Sequence, residues 1–91
     1  MIRQVVRVDN RLGLHARAAA KLVHLASRFS STIHISREGG TQEVDSKSIL
    51  GVLMLAATEG VRLVISATGQ DEEEAVQAIC SLFESRFGED N

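Results

Sequence analysis

The sequence predicts an α/β (α+β) fold, a two-layer open-faced sandwich in which three helices cover one face of a four-stranded antiparallel sheet. Two observations predict it. The hydrophobic pattern switches repeatedly between a period of two and a helical period, in the order βαββαβα. The strands alternate apolar with polar residues, as expected of a sheet covered on one side only. Because the chain has 91 residues and no linker-like stretch, residues 1–91 are expected to form one domain.

The first strand and the first helix are separated by a loop. Residues 2–8 alternate between two sides and predict a strand, whereas residues 9–14, which include Gly13, are typical of a loop. Apolar residues recur at helical spacing over residues 16–29, and the alanines at the start favour helix formation. The opposite face of this helix is basic and carries Arg17, Lys21, His24 and Arg28.

A hairpin and a short helix occupy the middle of the chain. Alternation over residues 32–36 predicts the second strand, and a glycine-containing turn at residues 38–40 connects it with a short return strand over residues 41–45. Ser48 is a candidate N-cap for the apolar run of residues 49–57. That run predicts about two and a half turns of helix.

The last part of the chain predicts a strand and a helix. Gly60 is expected to end the preceding helix as its C-cap. Residues 61–67 alternate as a fourth strand, and acidic residues 71–74 open the last helix, where the helix dipole favours negative charge. Residues 88–91 are expected to form a polar tail. The core side of the last helix is predicted to consist of Val76, Ile79 and Phe83.

Composition argues against several classes of protein. One cysteine and no proline exclude a disulfide scaffold and a proline-rich disordered chain. The formal net charge of -2, from 12 acidic and 10 basic residues, disfavours nucleic-acid binding through a basic surface. No apolar run reaches the roughly 20 residues that span a membrane, and no secretory signal is visible, so a cytoplasmic protein is expected. The histidines and Cys80 lack compact ligand spacing, so neither a metal nor another cofactor is expected.

The candidate functional site is a histidine at the start of the first helix. His15 lies where the loop enters the helix, and a helix N-terminus offers unpartnered N–H groups and a partial positive charge to an anion. Neutral imidazole is a nucleophile towards phosphorus, and the planar guanidinium of Arg17 can pair with phosphate oxygens. These features predict a site that carries a phosphoryl group, held also by the backbone N–H groups of Ala16 and Arg17. From the His-x-Arg tripeptide alone, a histidine that is merely capping or exposed is the favoured interpretation, because such tripeptides are common.

Residues 10–19 and residues 47–53 form two motifs, and both resemble motifs of the histidine-containing phosphocarrier (HPr-like) family of the phosphoenolpyruvate-dependent phosphotransferase system. Residues 10–19, Asn-Arg-Leu-Gly-Leu-His-Ala-Arg-Ala-Ala, resemble its active-site signature. Residues 47–53, Lys-Ser-Ile-Leu-Gly-Val-Leu, resemble its serine-site signature. The resemblance covers essentially the whole chain and implies a single HPr-like phosphocarrier domain. One residue departs from the family pattern, since Ala18 stands where the family usually has proline.

The resemblance implies a role for each matched residue. His15 would accept a phosphoryl group on Nδ1 from phospho-enzyme I and pass it to EIIA-type proteins, while Arg17 stabilises the transferring group. Ser48 would be the target of a regulatory kinase (HPr kinase/phosphorylase) that some bacteria possess. The implied docking surface for partner proteins consists of Ile49, Leu50, Leu53, Ala20, Lys21 and His24.

The resulting prediction is a monomeric carrier of the sugar-uptake branch, not an independent enzyme. Two alternatives stay open: a carrier of the nitrogen-related branch, which the pattern around residues 67–75 also resembles, and a non-catalytic regulatory module on the same fold. An N-cap role and a regulatory role for Ser48 are compatible with each other. An RNA-binding sandwich is disfavoured because the strands carry no aromatic residue for base stacking.

Overall fold

A four-stranded antiparallel sheet forms one layer of the protein. The strands are β1 (Ile2–Arg7), β2 (Thr32–Arg37), β3 (Glu43–Asp45) and β4 (Arg62–Thr68). In the computed structural model, which describes residues 1–89, they lie in the order β1-β4-β2-β3. The register places Val6 opposite Leu63 and Ile35 opposite Ile65, so the apolar residues share one face. The return strand is shorter than the predicted residues 41–45, because only its last three residues pair with β2.

Three helices form the second layer. They are α1 (Ala16–Ala26), α2 (Ile49–Met54) and α3 (Glu72–Glu84), and a 3₁₀ turn (Arg86–Gly88) follows the last one. The predicted fold class is confirmed: an open four-stranded antiparallel sheet with three helices. No helix within residues 1–89 combines the length and the apolar character needed to cross a bilayer.

The core lies between the two layers and consists of aliphatic and phenylalanine side chains. Removing each large aliphatic side chain from water contributes roughly 1.5–3 kcal/mol to folding. Val76, Ile79 and Phe83 are buried on α3, as the sequence predicts. The largest side chains buried almost completely are Phe83, Phe87, Leu22, Ile33, Ile35, Leu63, Ile65, Ile79, Val8 and Val52.

The first helix is shorter than the predicted residues 16–29. It ends at Ala26, and the N–H of Phe29 donates to the Ala26 carbonyl at 3.2 Å. This bond spans three residues instead of four, so the chain tightens into a turn of 3₁₀ type. Lys47 Nζ donates to the Phe29 carbonyl at 2.8 Å and satisfies an acceptor in the turn.

The turn after α1 is tied to the start of α3 by one carboxylate. Asp71 accepts hydrogen bonds from the N–H groups of Ser30 at 2.9 Å and Ser31 at 3.0 Å, and from the Ser31 hydroxyl. The Ser31 hydroxyl, followed by the Ser30 N–H, lowers the pKa of Asp71 to about 2. Asp71 therefore accepts hydrogen bonds from a turn that is distant in sequence. Glu72, Glu73 and Glu74 occupy the first turn of α3, as predicted.

The second helix also ends before its predicted boundary at residue 57. Its C-cap is Leu55, and Ala56 adopts a left-handed φ of 49°. The Arg37 guanidinium donates to the carbonyls of Leu55 and Ala56, each at 3.0 Å, so a side chain from β2 satisfies acceptors at the end of the helix. Long-range contacts of this kind leave no mark in the local apolar pattern.

The prediction that Gly60 is the C-cap of α2 is wrong. Gly60 lies in the turn before β4, with a φ of 92°, and its N–H donates to the Val8 carbonyl at 2.7 Å. The glycine is used for a left-handed turn, but this turn aligns β4 with β1 and does not terminate the helix. Of the predicted polar tail, Gly88 and Glu89 are described by the structure, and residues 90–91 lie outside the described residues.

Candidate functional site

His15 is the N-cap residue of α1. Its backbone is extended, with φ −74° and ψ 176°, and its carbonyl accepts the Ala19 N–H at 2.8 Å. Among residues 1–89, no hydrogen-bond acceptor pairs with the backbone N–H groups of Ala16, Arg17 and Ala18. Three donors at the positive end of a helix are suited to bind an anion beside the imidazole. A proline at position 18 would therefore remove no hydrogen bond seen within this range.

The loop before His15 is fixed by its packing against the segment that follows α2. Gly13 has a left-handed φ of 67°, and its N–H donates to the Asn10 carbonyl at 3.1 Å. The Leu14 N–H donates to the Ala57 carbonyl at 2.9 Å. A Cβ on Gly13 would lie 2.5 Å from the same carbonyl oxygen, so this close approach requires glycine.

The imidazole of His15 contacts a carboxylate from the C-terminal segment. Nε2 of His15 lies 2.5 Å from Oε2 of Glu89, and the two side chains are 25% and 11% exposed. The other carboxylate oxygen of Glu89 accepts from Nδ2 of Asn10 at 3.0 Å. The Asn10 hydrogen bond is the main cause that lowers the pKa of Glu89, outweighing desolvation, and His15 and Arg17 lower it further. Glu89 is therefore an ionised acceptor at neutral pH, and Nε2 of His15 donates the hydrogen.

Sequence reasoning missed Glu89. It assigned the residue to a polar tail, because a charged residue near a terminus has no periodic neighbours that place it in the fold. The contact depends on the turn after α3, where Arg86 and Phe87 adopt left-handed φ values of 58° and 57°. Neither of these two residues is a glycine or an asparagine, so their residue types do not indicate left-handed positions in advance.

The predicted docking residues of α1 lie on its exposed side. Ala20, Lys21 and His24 are all exposed, as is Arg17 one turn earlier. Lys21 has a further role that the sequence did not indicate, because its Nζ donates to the Phe87 carbonyl at 2.6 Å. The basic face of α1 therefore also anchors the C-terminal turn.

Ser48 and the residues after it confirm a capped helix with an exposed apolar face. The Ser48 hydroxyl accepts from the Gly51 N–H at 3.2 Å, which is the predicted N-cap hydrogen bond. Met54 is also exposed and was not among the predicted docking residues. It lies four residues after Leu50, and this helical spacing could have indicated it from the sequence. We call the four exposed side chains the apolar patch: Ile49 (39% exposed), Leu50 (72%), Leu53 (36%) and Met54 (68%).

Comparison with known protein families decides the family of the chain. A family model described as the PTS HPr component phosphorylation site matches residues 2–85. The chain belongs to this HPr family. It is therefore an HPr-type phosphocarrier of the phosphotransferase system, and the predicted resemblance is confirmed. Members of this family carry phosphoryl groups and do not act as independent catalysts, as predicted for this chain.

Individual relatives cover the chain almost completely. The phosphocarrier protein HPr of Xylella fastidiosa (strain Temecula1) is 48% identical over 90 residues, 99% of each chain. The phosphocarrier protein NPr of Escherichia coli (strain K12) is 39% identical over 89 residues, 98% of each chain. The crystal structure of HPr-C-His from Thermoanaerobacter tengcongensis matches with a TM-score of 0.93 and 42% identity, covering 100% of both chains.

Proposed function

We propose that His15 accepts a phosphoryl group from phospho-enzyme I and passes it to EIIA-type proteins. The observation that carries this proposal is the position of His15 at the N-terminus of α1, beside backbone donors that lack acceptors within residues 1–89. With Nε2 bound to Glu89, Nδ1 is the ring nitrogen left to form a bond to phosphorus.

The transfer needs no reactant besides the two proteins. The lone pair of Nδ1 attacks phosphorus, the bond between phosphorus and the donor breaks, and its electron pair leaves with the donor. The phosphoryl oxygens, which carry the negative charge, face the N–H groups of Ala16 and Arg17 in this proposal. The Arg17 guanidinium is exposed, and in this proposal it pairs with these oxygens. The same steps in reverse pass the group to the acceptor.

Partner proteins are proposed to dock on the apolar patch and the neighbouring exposed side of α1. Ile49, Leu50 and Leu53 expose apolar area next to a helix that carries Ala20, Lys21 and His24. Exposed apolar side chains grouped in this way are typical of a protein-binding surface with a charged rim. In this proposal the carrier works as a cytoplasmic monomer, so that one face is free for successive partners.

We assign the carrier to the sugar-uptake branch, supported by relatives named HPr at 48% and 47% identity, while relatives named NPr are 45% and 39% identical. The nitrogen-related branch is the second candidate, favoured by the NPr relative's match over 98% of each chain.

The branch assignment is tested by transfer from the labelled carrier to purified acceptors. The carrier is phosphorylated with labelled phosphoenolpyruvate and enzyme I, freed of enzyme I, and mixed with an EIIA protein of either branch. We expect faster transfer to the sugar-branch protein. The opposite order would assign the carrier to the nitrogen-related branch. A carrier that takes up no label would contradict the proposed function and favour a non-catalytic regulatory module.

Ser48 is proposed as a site of regulatory phosphorylation. The side chain is exposed and lies directly before Ile49 and Leu50 of the apolar patch. A phosphate on Ser48 would place about two negative charges at the edge of this surface. Docking would then require removal of water from those charges, which weakens the complex.

Ser48→Asp is expected to weaken binding to enzyme I by about tenfold, because a charge at the edge of an apolar interface is poorly compensated. Aspartate keeps an N-cap oxygen, so the fold is retained. Calorimetric titration with enzyme I measures the effect, and Ser48→Ala serves as the matched control. The alanine variant loses the cap, about 0.5–2 kcal/mol of stability, without adding charge. Equal affinities of wild type and Ser48→Asp would contradict docking at this surface.

A further inference from the structure

We propose that Glu89 is a positioning residue for phosphoryl transfer: its carboxylate holds the Nε2–H of His15 and leaves Nδ1 as the attacking nitrogen. The inference rests on the carrier function proposed for His15 and adds a residue to that site. Glu89 lies beyond residues 2–85, over which the family model matches, in the segment that follows α3.

The backbone before Glu89 is fixed by contacts that turn the chain back onto α1. Arg86 and Phe87 adopt the left-handed region, which is unfavourable for residues with a side chain and must be offset by contacts. The Phe87 ring is buried edge-on against Phe83, with ring centroids 4.9 Å apart. Lys21 Nζ binds the Phe87 carbonyl at 2.6 Å, and the Glu89 N–H donates to the Arg86 carbonyl at 3.0 Å. Glu89 is thus held beside His15 by the fold.

Both oxygens of the Glu89 carboxylate are engaged. Oε1 accepts from Asn10 at 3.0 Å, and Oε2 faces Nε2 of His15 at 2.5 Å. Asn10 is fully buried and also donates to the Gly13 carbonyl at 2.7 Å, so it is part of the loop that leads to His15. Because Asn10 fixes one oxygen, the other oxygen has a defined position. Rotation of the imidazole would break the hydrogen bond to it.

This geometry favours attack by Nδ1 in two ways. In the neutral imidazole, an ionised carboxylate at Nε2 can only accept, which places the hydrogen on Nε2 and the lone pair on Nδ1. As the bond between Nδ1 and phosphorus forms and the donor bond breaks, positive charge develops on the imidazole of His15. The carboxylate of Glu89 offsets this charge, as a carboxylate does for the histidine of a hydrolase triad.

The test compares initial rates of phosphorylation by phosphoenolpyruvate and enzyme I. We expect Glu89→Ala to react about tenfold more slowly than wild type, because a charge-assisted hydrogen bond is lost. Glu89→Gln should fall between the two, since an amide oxygen can accept the Nε2–H without the negative charge. Glu84→Ala is the matched control: it removes an exposed carboxylate at the end of α3 and is expected to keep the wild-type rate, because the carboxylate bonded to His15 within residues 1–89 is that of Glu89.

A spectroscopic measurement separates positioning from a general effect on the fold. In wild type, the ¹H NMR signal of the His15 Nε2–H should be shifted downfield and protected from exchange. It should disappear in Glu89→Ala and persist, less shifted, in Glu89→Gln. A Glu89→Ala rate equal to or above that of wild type would overturn the inference, as would a slower rate with an unchanged Nε2–H signal. If wild type itself takes up no label, the proposed function fails first.

Discussion

His15→Ala will abolish phosphorylation, whereas wild type will take up one phosphate that is labile in acid. The expected loss is complete, because alanine offers no nucleophile and no other histidine lies at a helix N-terminus within residues 1–89. The measurement is incubation with labelled phosphoenolpyruvate and enzyme I, followed by acid treatment. Acid lability identifies a phosphate on nitrogen and distinguishes it from a phosphate on a serine such as Ser48.

His34→Ala is the matched control for this experiment. His34 lies on β2, opposite Asp45 and Ser66, on the sheet face turned away from the helices. Its removal is expected to leave the uptake of label unchanged. Label on the His15→Ala variant, or acid-stable label on wild type, would contradict the assignment of His15 as the accepting residue.

Gly13→Ala will destabilise the protein by about 2–5 kcal/mol, the second large effect we expect. A left-handed φ costs an alanine roughly 1–2 kcal/mol, and the overpacked contact adds about 1–3 kcal/mol. The added Cβ would lie 2.5 Å from the Ala57 carbonyl oxygen and 2.9 Å from Thr58 Cα, which are backbone atoms that have little room to move. Unfolding in denaturant measures the change in free energy.

Gly39→Ala separates the cost of the left-handed φ from the cost of the steric contact. Gly39 also has a left-handed φ, 81°, but nothing lies within 4 Å of a Cβ built there. This variant should therefore lose only the conformational part, about 1–2 kcal/mol. Equal losses of stability in the two variants would show that the loop before His15 gives way easily, against the fixed geometry described for it.

The strands and the position of His15 at the start of a helix could be predicted from sequence because their signals are local. Ile33 and Ile35 alternate with polar neighbours, and this spacing alone places them on one face of a strand. Ser48 could be identified as an N-cap because its side chain binds an N–H only three residues away. His15 could be singled out because Gly13 and Arg17, two residues away on either side, supply a loop and a cation.

The ends of the helices and the contact of Glu89 could not be predicted, because they depend on residues distant in sequence. α2 ends where Arg37, from β2, binds the carbonyls of Leu55 and Ala56. Glu89 reaches His15 across 74 positions of the chain. An apolar period describes which side of an element is buried, but it contains no information on which distant side chain closes its end.

The hydrogen bonds that connect the turn after α1 with the start of α3 depend on the ionised carboxylate of Asp71, so their response to acid follows from its pKa. Asp71 has a pKa of about 2 in the folded protein, against 3.8 as its ordinary value. A lowered pKa means that the stabilisation is fully present above pH 3.8 and is lost as the pH falls through about 2. The hydrogen bonds from Ser30 and Ser31 to Asp71 therefore do not change over the pH range in which histidines change charge. Any change of stability measured between pH 5 and 8, where histidines titrate, must come from groups other than this one.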